Sequence, residues 1–278
     1  MNIVEFTGLI FLGSLVAGFL GSLTGLGGGV VLVPMLTLLF GVDIRYAIGA
    51  SLVSVIATSS GAAAAYVKEG YSNIRVGMFL EIATTLGALG GAFVAARVST
   101  SAVATIFGIV LLFSAYQAYH PPPEHAEDDQ PGPVAAWLRM NSTYPTPDGP
   151  RSYSVRAVPL GFGLMYVAGL LSGLLGIGSG AVKVLAMDRV MRLPFKVSTT
   201  TSNFMIGVTA AASAGVYLNR GYIDPVLAMP VMLGVLAGSL IGTRVLVAAP
   251  VRVLRLVFTG VIALLGVEMM FKGLSGRL

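Results

Sequence analysis

Apolar runs about as long as a bilayer is thick dominate this chain. They fall at roughly residues 3–23, 29–41, 45–67, 75–97 and 101–119, then resume at 155–175, 180–192, 196–218, 225–247 and 252–272. A helix needs about 20 residues to cross a hydrocarbon core about 30 Å thick. Charged residues make up 10% of the chain and hydrophobic residues 55%, with a mean hydropathy of +0.86. A soluble domain carries about 25% charged residues. The expected fold is therefore an all-α integral membrane protein of about ten transmembrane or half-membrane helices. The runs at 29–41 and 180–192 are too short to cross comfortably and read as re-entrant or half-helices. The start, "MNIVEFTGLIFLGSLVAGFLGSL", has Glu5 where a signal peptide would be positive, and reads as a retained first span.

The net charge of +5 follows from 17 Lys and Arg against 12 Asp and Glu. Lys and Arg gather in cytoplasmic loops of membrane proteins, so a basic balance is ordinary here. No basic run with interleaved aromatics marks a nucleic-acid partner. The absence of cysteine excludes thiol chemistry and disulfides. An N-out, C-out topology places Lys68, Arg75, Arg139, Arg151, Arg156, Arg189, Arg192, Lys196, Arg252 and Arg255 inside. It leaves Arg45, Arg97, Arg220, Arg244, Lys272 and Arg277 outside.

Residues 120–154 are hydrophilic and proline-rich and read as an extended, cytoplasmic linker between an N-terminal repeat, 1–119, and a C-terminal repeat, 155–278. The two repeats are related by a constant shift of 151 residues, Gly25 onto Gly176. The same shift matches Gly27 with Gly178, Gly29 with Gly180, Ser51 with Ser202, Thr58 with Thr209, Tyr66 with Tyr217, and Gly70–Tyr71 with Gly221–Tyr222. An ungapped register of this kind is an internal duplication. Five crossings per repeat would invert the second repeat relative to the first, a recurrent plan of secondary transporters. If the short segments are re-entrant, each repeat has four spans and the repeats run parallel.

"SLTGLGGGVVLVP" and "GLLGIGSGAVKV" share one plan: a helix ends, a glycine-rich turn follows, and a short apolar helix begins. Irregular backbone at membrane depth is tolerated only inside protein or along a cavity. A helix start carries orphan N–H donors and a partial positive charge, which attract anions. The glycines Gly25, Gly27, Gly28 and Gly29, with Gly176, Gly178, Ser179 and Gly180, are therefore candidates for a substrate site between the repeats. Close helix packing through small residues is the competing account. Lys183, three residues past Gly180, stands where the first repeat has Leu32. A lysine at membrane depth is a functional candidate, unless it snorkels to the interface. "FKVSTTTSNFMIG" places Ser198, Thr201 and Ser202 on one helix face. Ser51, Thr201, Ser202 and Asn203 are candidate ligand contacts, with helix–helix hydrogen bonding as the alternative.

Glu81, inside the fourth run, is a candidate proton relay or the partner of a buried base. His120 and His125 with Glu124, Glu127, Asp128 and Asp129 fit no metal motif and read as a solvated loop. No metal or other cofactor is implied. No catalytic constellation of carboxylates, or of serine and histidine, falls in a span, which argues against an enzyme.

The paired G-x-G-x-G helix ends, the "AIGASL" and "STTTSN" segments and the two Gly-Tyr pairs resemble the TauE/SafE family of membrane transporters. The resemblance covers everything but the linker. It implies transport of sulfite or organosulfonates such as sulfoacetate across the bacterial inner membrane. It places family motifs on Gly25, Gly27, Gly29, Gly176, Gly178, Gly180, Ser51, Thr201 and Ser202. The linker and Lys183 have no counterpart in the family pattern. The expected partners are a small anion, the lipid bilayer and a second copy of the chain. An anion channel of the same architecture is the alternative.

Overall fold

The apolar runs become helices because lipid leaves a backbone no partner but itself. The computed structural model describes residues 2–22, 28–68, 70–119, 132–146, 149–248 and 251–276. The first half holds α1 (Ile3–Ser22), α2 (Gly29–Leu38), α3 (Ile44–Lys68), α4 (Ile74–Ala95) and α5 (Thr100–Tyr119). A short helix α6 (Pro133–Trp137) and the strands β1 (Ser142–Thr146) and β2 (Gly149–Tyr153) follow. The second half holds α7 (Val158–Leu175), α8 (Gly180–Leu185), α9 (Phe195–Asn219), α10 (Pro225–Ala248) and α11 (Val251–Ser275). A single π turn, Ala186–Val190, continues α8.

Among the described residues, four stretches are long and apolar enough to cross a membrane: Ile74–Ala95, Thr100–Tyr119, Val158–Leu175 and Pro225–Gly242. Large apolar side chains also point outward. On α4, Met78, Ile82, Leu86 and Phe93 are all more than half exposed. Water would reject such a stripe, whereas a bilayer solvates it. The protein is a multi-pass helical membrane protein.

Helix directions follow from the contacts. The rings of Phe6 and Phe40 lie 6.2 Å apart, and Gly13 sits against Met35, so α2 turns back along α1. In the second half Gly161 sits against Met191, so α8 and its π turn run back along α7. Both short segments thus return toward the face their preceding helix came from. Helix α1 runs parallel to α10, with Gly234 at Phe11 and Gly238 at Leu15. Helix α4 runs parallel to α7, with Gly169 at Thr84 and Gly173 at Ala88. Two pairs run antiparallel: α3 with α9, where Gly49 meets Tyr222 and Gly207 meets Ser59, and α5 with α11, where Gly108 meets Met270 and Gly273 meets Thr105.

The α4–α7 and α1–α10 seams are built from small residues spaced four apart. A side chain at Gly91 would strike the Leu170 carbonyl, one at Gly173 the Ala88 carbonyl, and one at Gly238 the Leu15 carbonyl. Lipid supplies no hydrophobic force between helices, so such close packing holds the bundle. Gly169 and Gly173 therefore serve packing, although they adjoin the glycine break.

Two faces follow. The proximal face holds the start of α1 and the α9–α10 loop, and the distal face holds the α3–α4 loop. Arg244, grouped above with the outer charges, is on α10 near its C-terminal end. Because α10 parallels α1, that end is distal, beside the start of α11. Inserted that way, the bundle gains one more basic residue on the side of Arg252 and Arg255.

The segment 120–154 is not wholly extended, as its prolines suggested. Its described part forms α6 and a hairpin with Tyr144 opposite Arg151 and Pro145 opposite Pro150. Ala135, Met140 and Val155 are buried beneath it. Asn73 ties the hairpin down. Its Nδ2 donates to the Met140 carbonyl and to the Tyr153 hydroxyl, both at 2.8 Å, while its Oδ1 caps α4 at Val76 N. Burial raises the Tyr153 pKa above the ordinary phenol value, against the opposing effect of its hydrogen bonds with Asn73 and Ser142, so the hydroxyl stays neutral.

Candidate functional site

The start of α2 meets the second glycine break inside the bundle. Helix α7 ends at Gly176, at φ +67°, and its N–H closes on the Ser172 carbonyl. Gly178 repeats that φ, and Ser179 follows at φ +46°. A left-handed backbone suits glycine and strains a residue with a Cβ. Gly176 packs against Ile48 of α3, and Gly178 against Ile206 of α9. The turn is wedged between the two antiparallel helices.

Across the break stands the start of α2. A Cβ at Gly29 would lie 2.6 Å from Ser51 Oγ and 3.1 Å from the Gly176 carbonyl oxygen. Ser51 Oγ donates to that carbonyl at 2.8 Å. Ser51 thus sits where the C-terminal end of α7 comes against the start of α2. Helix geometry leaves the first N–H groups of α2 without intrahelical acceptors. Gly28, Gly29 and Gly180 are buried around this junction. Ser179 Oγ is buried without a hydrogen-bond partner among the described residues. Gly25 and Gly27 lie outside the described residues, as do His120, Glu124, His125, Glu127, Asp128 and Asp129.

Lys183 is fully buried, so it does not snorkel. Its Nζ donates to Thr209 Oγ1 of α9 at 2.6 Å. Thr209 Oγ1 donates to Glu81 Oε1 of α4 at 2.7 Å, and Thr85 Oγ1 donates to the same oxygen at 3.2 Å. Glu81 Oε2 is buried with no hydrogen-bond partner among the described residues. A lysine, a hydroxyl and a carboxylate so form one chain inside the membrane, where each lone charge would be costly. Lys183 belongs to the half-helix beside the break and Glu81 to the first half. The repeat places Leu32 and Met232 at the matching positions, so the chain of charges exists once.

The serine–threonine run divides its work. Thr200 Oγ1 donates to the Tyr71 carbonyl at 3.0 Å, and Thr201 Oγ1 accepts from Asn73 N at 3.0 Å. These two fasten the α3–α4 loop to α9, which places Thr201 away from the break. Ser198 Oγ reaches back to the Leu193 carbonyl at 3.4 Å. Ser202 Oγ turns toward the Gly180 carbonyl at 3.5 Å, beside the break. Asn203 is buried and has no hydrogen-bond partner among the described residues.

The sequence reading passed over two residues. Thr209 is the hinge of the charged chain, and its signal was its match to Thr58 in the repeat. Asp188 is also buried, on the π turn. Its signal was a carboxylate inside the 180–192 run.

Comparison with known proteins agrees with this architecture. The profile of the sulfite exporter TauE/SafE family matches residues 10–269. The chain is 28% identical to "Probable membrane transporter protein YunE" of Bacillus subtilis (strain 168), across 98% of this chain and 99% of that one. It is 25% identical to "Probable membrane transporter protein YdhB" of the same organism, over 85% and 87% of the two chains. A third relative, "Probable membrane transporter protein MJ0441" of Methanocaldococcus jannaschii, is 24% identical over 94% of each. No solved structure matches the chain at a significant level. The profile spans the bundle from α1 to α11, the central break and the charged chain included, and the protein belongs to the sulfite exporter TauE/SafE family of membrane transporters.

Proposed function

We propose that this protein is a secondary transporter for small sulfur oxyanions or organosulfonates, working in a bacterial inner membrane with its substrate site at the junction of the two glycine breaks. One observation carries the reading. The start of α2 and the end of α7 meet through Ser51, from opposite halves, with a buried lysine one helical turn beyond the second break. The start of α2 offers an anion backbone N–H donors without intrahelical acceptors, and Lys183, balanced through Thr209 by Glu81, is the buried cation for which an arriving anion would compete. The substrate class rests on the family and not on the geometry.

The halves form an inverted repeat in this reading. Exchanging them maps α1–α10 onto α7–α4 and each antiparallel pair onto itself. Helix α1 leaves from the proximal face and α7 from the distal face, and re-entrance of the short segments leaves the halves inverted rather than parallel. Rocking of one half against the other around a fixed site is the motion such a plan supports.

Sulfite or sulfoacetate flux into proteoliposomes tests the proposal. Saturable flux that a transmembrane proton gradient drives, weakened by Lys183→Gln, supports it. Unsaturated conductance in planar bilayers would reassign the fold to an anion channel. Affinity unchanged by Lys183→Gln would remove that residue from the site.

A further inference from the structure

A second feature stands at the proximal mouth of the bundle, apart from the glycine junction. Arg45, in the first turn of α3, and Arg220, at the end of α9, line one narrow cleft with Tyr217, Tyr222 and the alanines that close α4. The arginines come from different halves. Each guanidinium is partly buried and neither makes an ion pair among the described residues. The acids nearest in sequence are engaged elsewhere. Asp43 Oδ1 accepts the Arg45 N–H at 2.8 Å at the start of α3, and Asp224 Oδ1 accepts the Val226 N–H at 2.9 Å at the start of α10.

What the guanidinia do touch is weak. Arg45 lies 5.8 Å above the Tyr222 ring and gives one hydrogen bond to the Val98 carbonyl at 3.2 Å, and its Nε is buried with no hydrogen-bond partner among the described residues. Arg220 lies 5.3 Å above the Phe93 ring and reaches the Ala92 carbonyl at 3.5 Å. Two half-desolvated cations converging without a counter-charge repel one another. An anion between them removes that penalty. The planar fork of a guanidinium suits the oxygens of a sulfite, sulfonate or phosphate group.

The cleft also adjoins the central break. The Tyr217 hydroxyl, one wall of it, donates to the Gly173 carbonyl at 3.2 Å, in the last turn of α7 before Gly176. By the 151-residue shift Lys196 matches Arg45, whereas Arg220 falls opposite Glu69, which lies outside the described residues, so the sequence repeats only one of the two cations.

We propose that Arg45 and Arg220 form an oxyanion-binding vestibule at the proximal mouth, which captures a small soluble oxyanion on the way to or from the central junction. Its place on a transport path rests on the function proposed above; its capacity to bind an oxyanion does not. As the side chains stand, the gap is too tight for a water molecule, so an occupant turns a guanidinium outward on its flexible stem.

The test uses the full chain purified in maltoside, free of lipid phosphate. Thermal shifts are read with sulfite, methanesulfonate, sulfate and acetate in turn, for the wild type, for Arg45→Gln/Arg220→Gln and for Arg45→Lys/Arg220→Lys. At least one sulfur oxyanion is expected to stabilise the wild type, with affinity about tenfold weaker in the glutamine pair and partly kept in the lysine pair, as loss of charge-assisted bonds requires. Equal stabilisation of wild type and glutamine pair would overturn the proposal, and so would no stabilisation by any of the four. Stabilisation by phosphatidylglycerol alone would assign the cleft to a lipid headgroup and also overturn it. Flux separates the two proposals. Arginine-dependent binding without flux leaves the vestibule and removes the transporter, whereas normal flux in the glutamine pair without arginine-dependent binding does the reverse.

Discussion

Lys183 and Glu81 share one hydroxyl. The lysine Nζ is 2.6 Å from Thr209 Oγ1 and the glutamate Oε1 is 2.7 Å from the same atom. Helices α8, α9 and α4 are thus joined by a single polar chain. Removing one member of a buried pair costs about 3–5 kcal/mol, because the survivor is left uncompensated. Lys183→Met and Glu81→Gln are each expected to lower the melting temperature sharply, whereas the double variant recovers most of the loss. A double-mutant cycle by thermal unfolding in detergent measures this. Losses that simply add would show that the two charges do not interact.

Gly176 is held at φ +67° with Ile48 Cγ2 at 2.6 Å from where a Cβ would sit. Gly176→Ala combines left-handed strain of about 1–2 kcal/mol with a collision. Gly163 on α7 has open space around its own Cβ position. Gly163→Ala should therefore leave the melting temperature unchanged or raise it, as alanine favours a helix by about 1 kcal/mol over glycine. Equal effects of the two substitutions would mean that the break imposes no special backbone.

Asn73 serves three partners at once: the α4 start, the hairpin and, through its N–H, Thr201. Asn73→Ala loses a helix cap and leaves the Met140 carbonyl short of a donor, together about 1–3 kcal/mol. The expected sign is faster proteolytic cleavage between 132 and 157, with the helical bundle intact by circular dichroism. A cleavage rate like that of the wild type would show that Asn73 does not anchor the hairpin.

The antiparallel pair α3–α9 carries one aromatic clasp at each end. Tyr46 and Tyr222 stack edge-on at 5.7 Å proximally, and Lys196 lies 4.0 Å over the Tyr71 ring distally. The rocking motion proposed above requires each clasp to open in turn. The chain contains no cysteine, so it is its own clean background for paired cysteines. Short bifunctional thiol reagents bridging either pair should abolish flux, and reduction should restore it where the reagent carries a disulfide. Full flux with the proximal pair bridged would rule out opening there.

The sequence alone determined the apolar runs, the two glycine clusters, the 151-residue correspondence and the oddity of Lys183. Each is a local property: hydropathy sets the runs, glycine content the clusters, and a constant shift the correspondence. Tertiary structure decided the partners. The glycines of "GLLSGLLGIGSG" look alike in sequence, yet Gly169 and Gly173 press against α4 whereas Gly176 and Gly178 turn the chain. Thr201 and Ser202 are adjacent, yet one holds a loop and the other faces the break. Glu81 became the partner of Lys183 because the α4–α7 seam and the α4–α9 contact bring its helix face to Thr209. Helical periodicity says which residues share a face; only packing, fixed here by small-residue seams in lipid, says what that face meets.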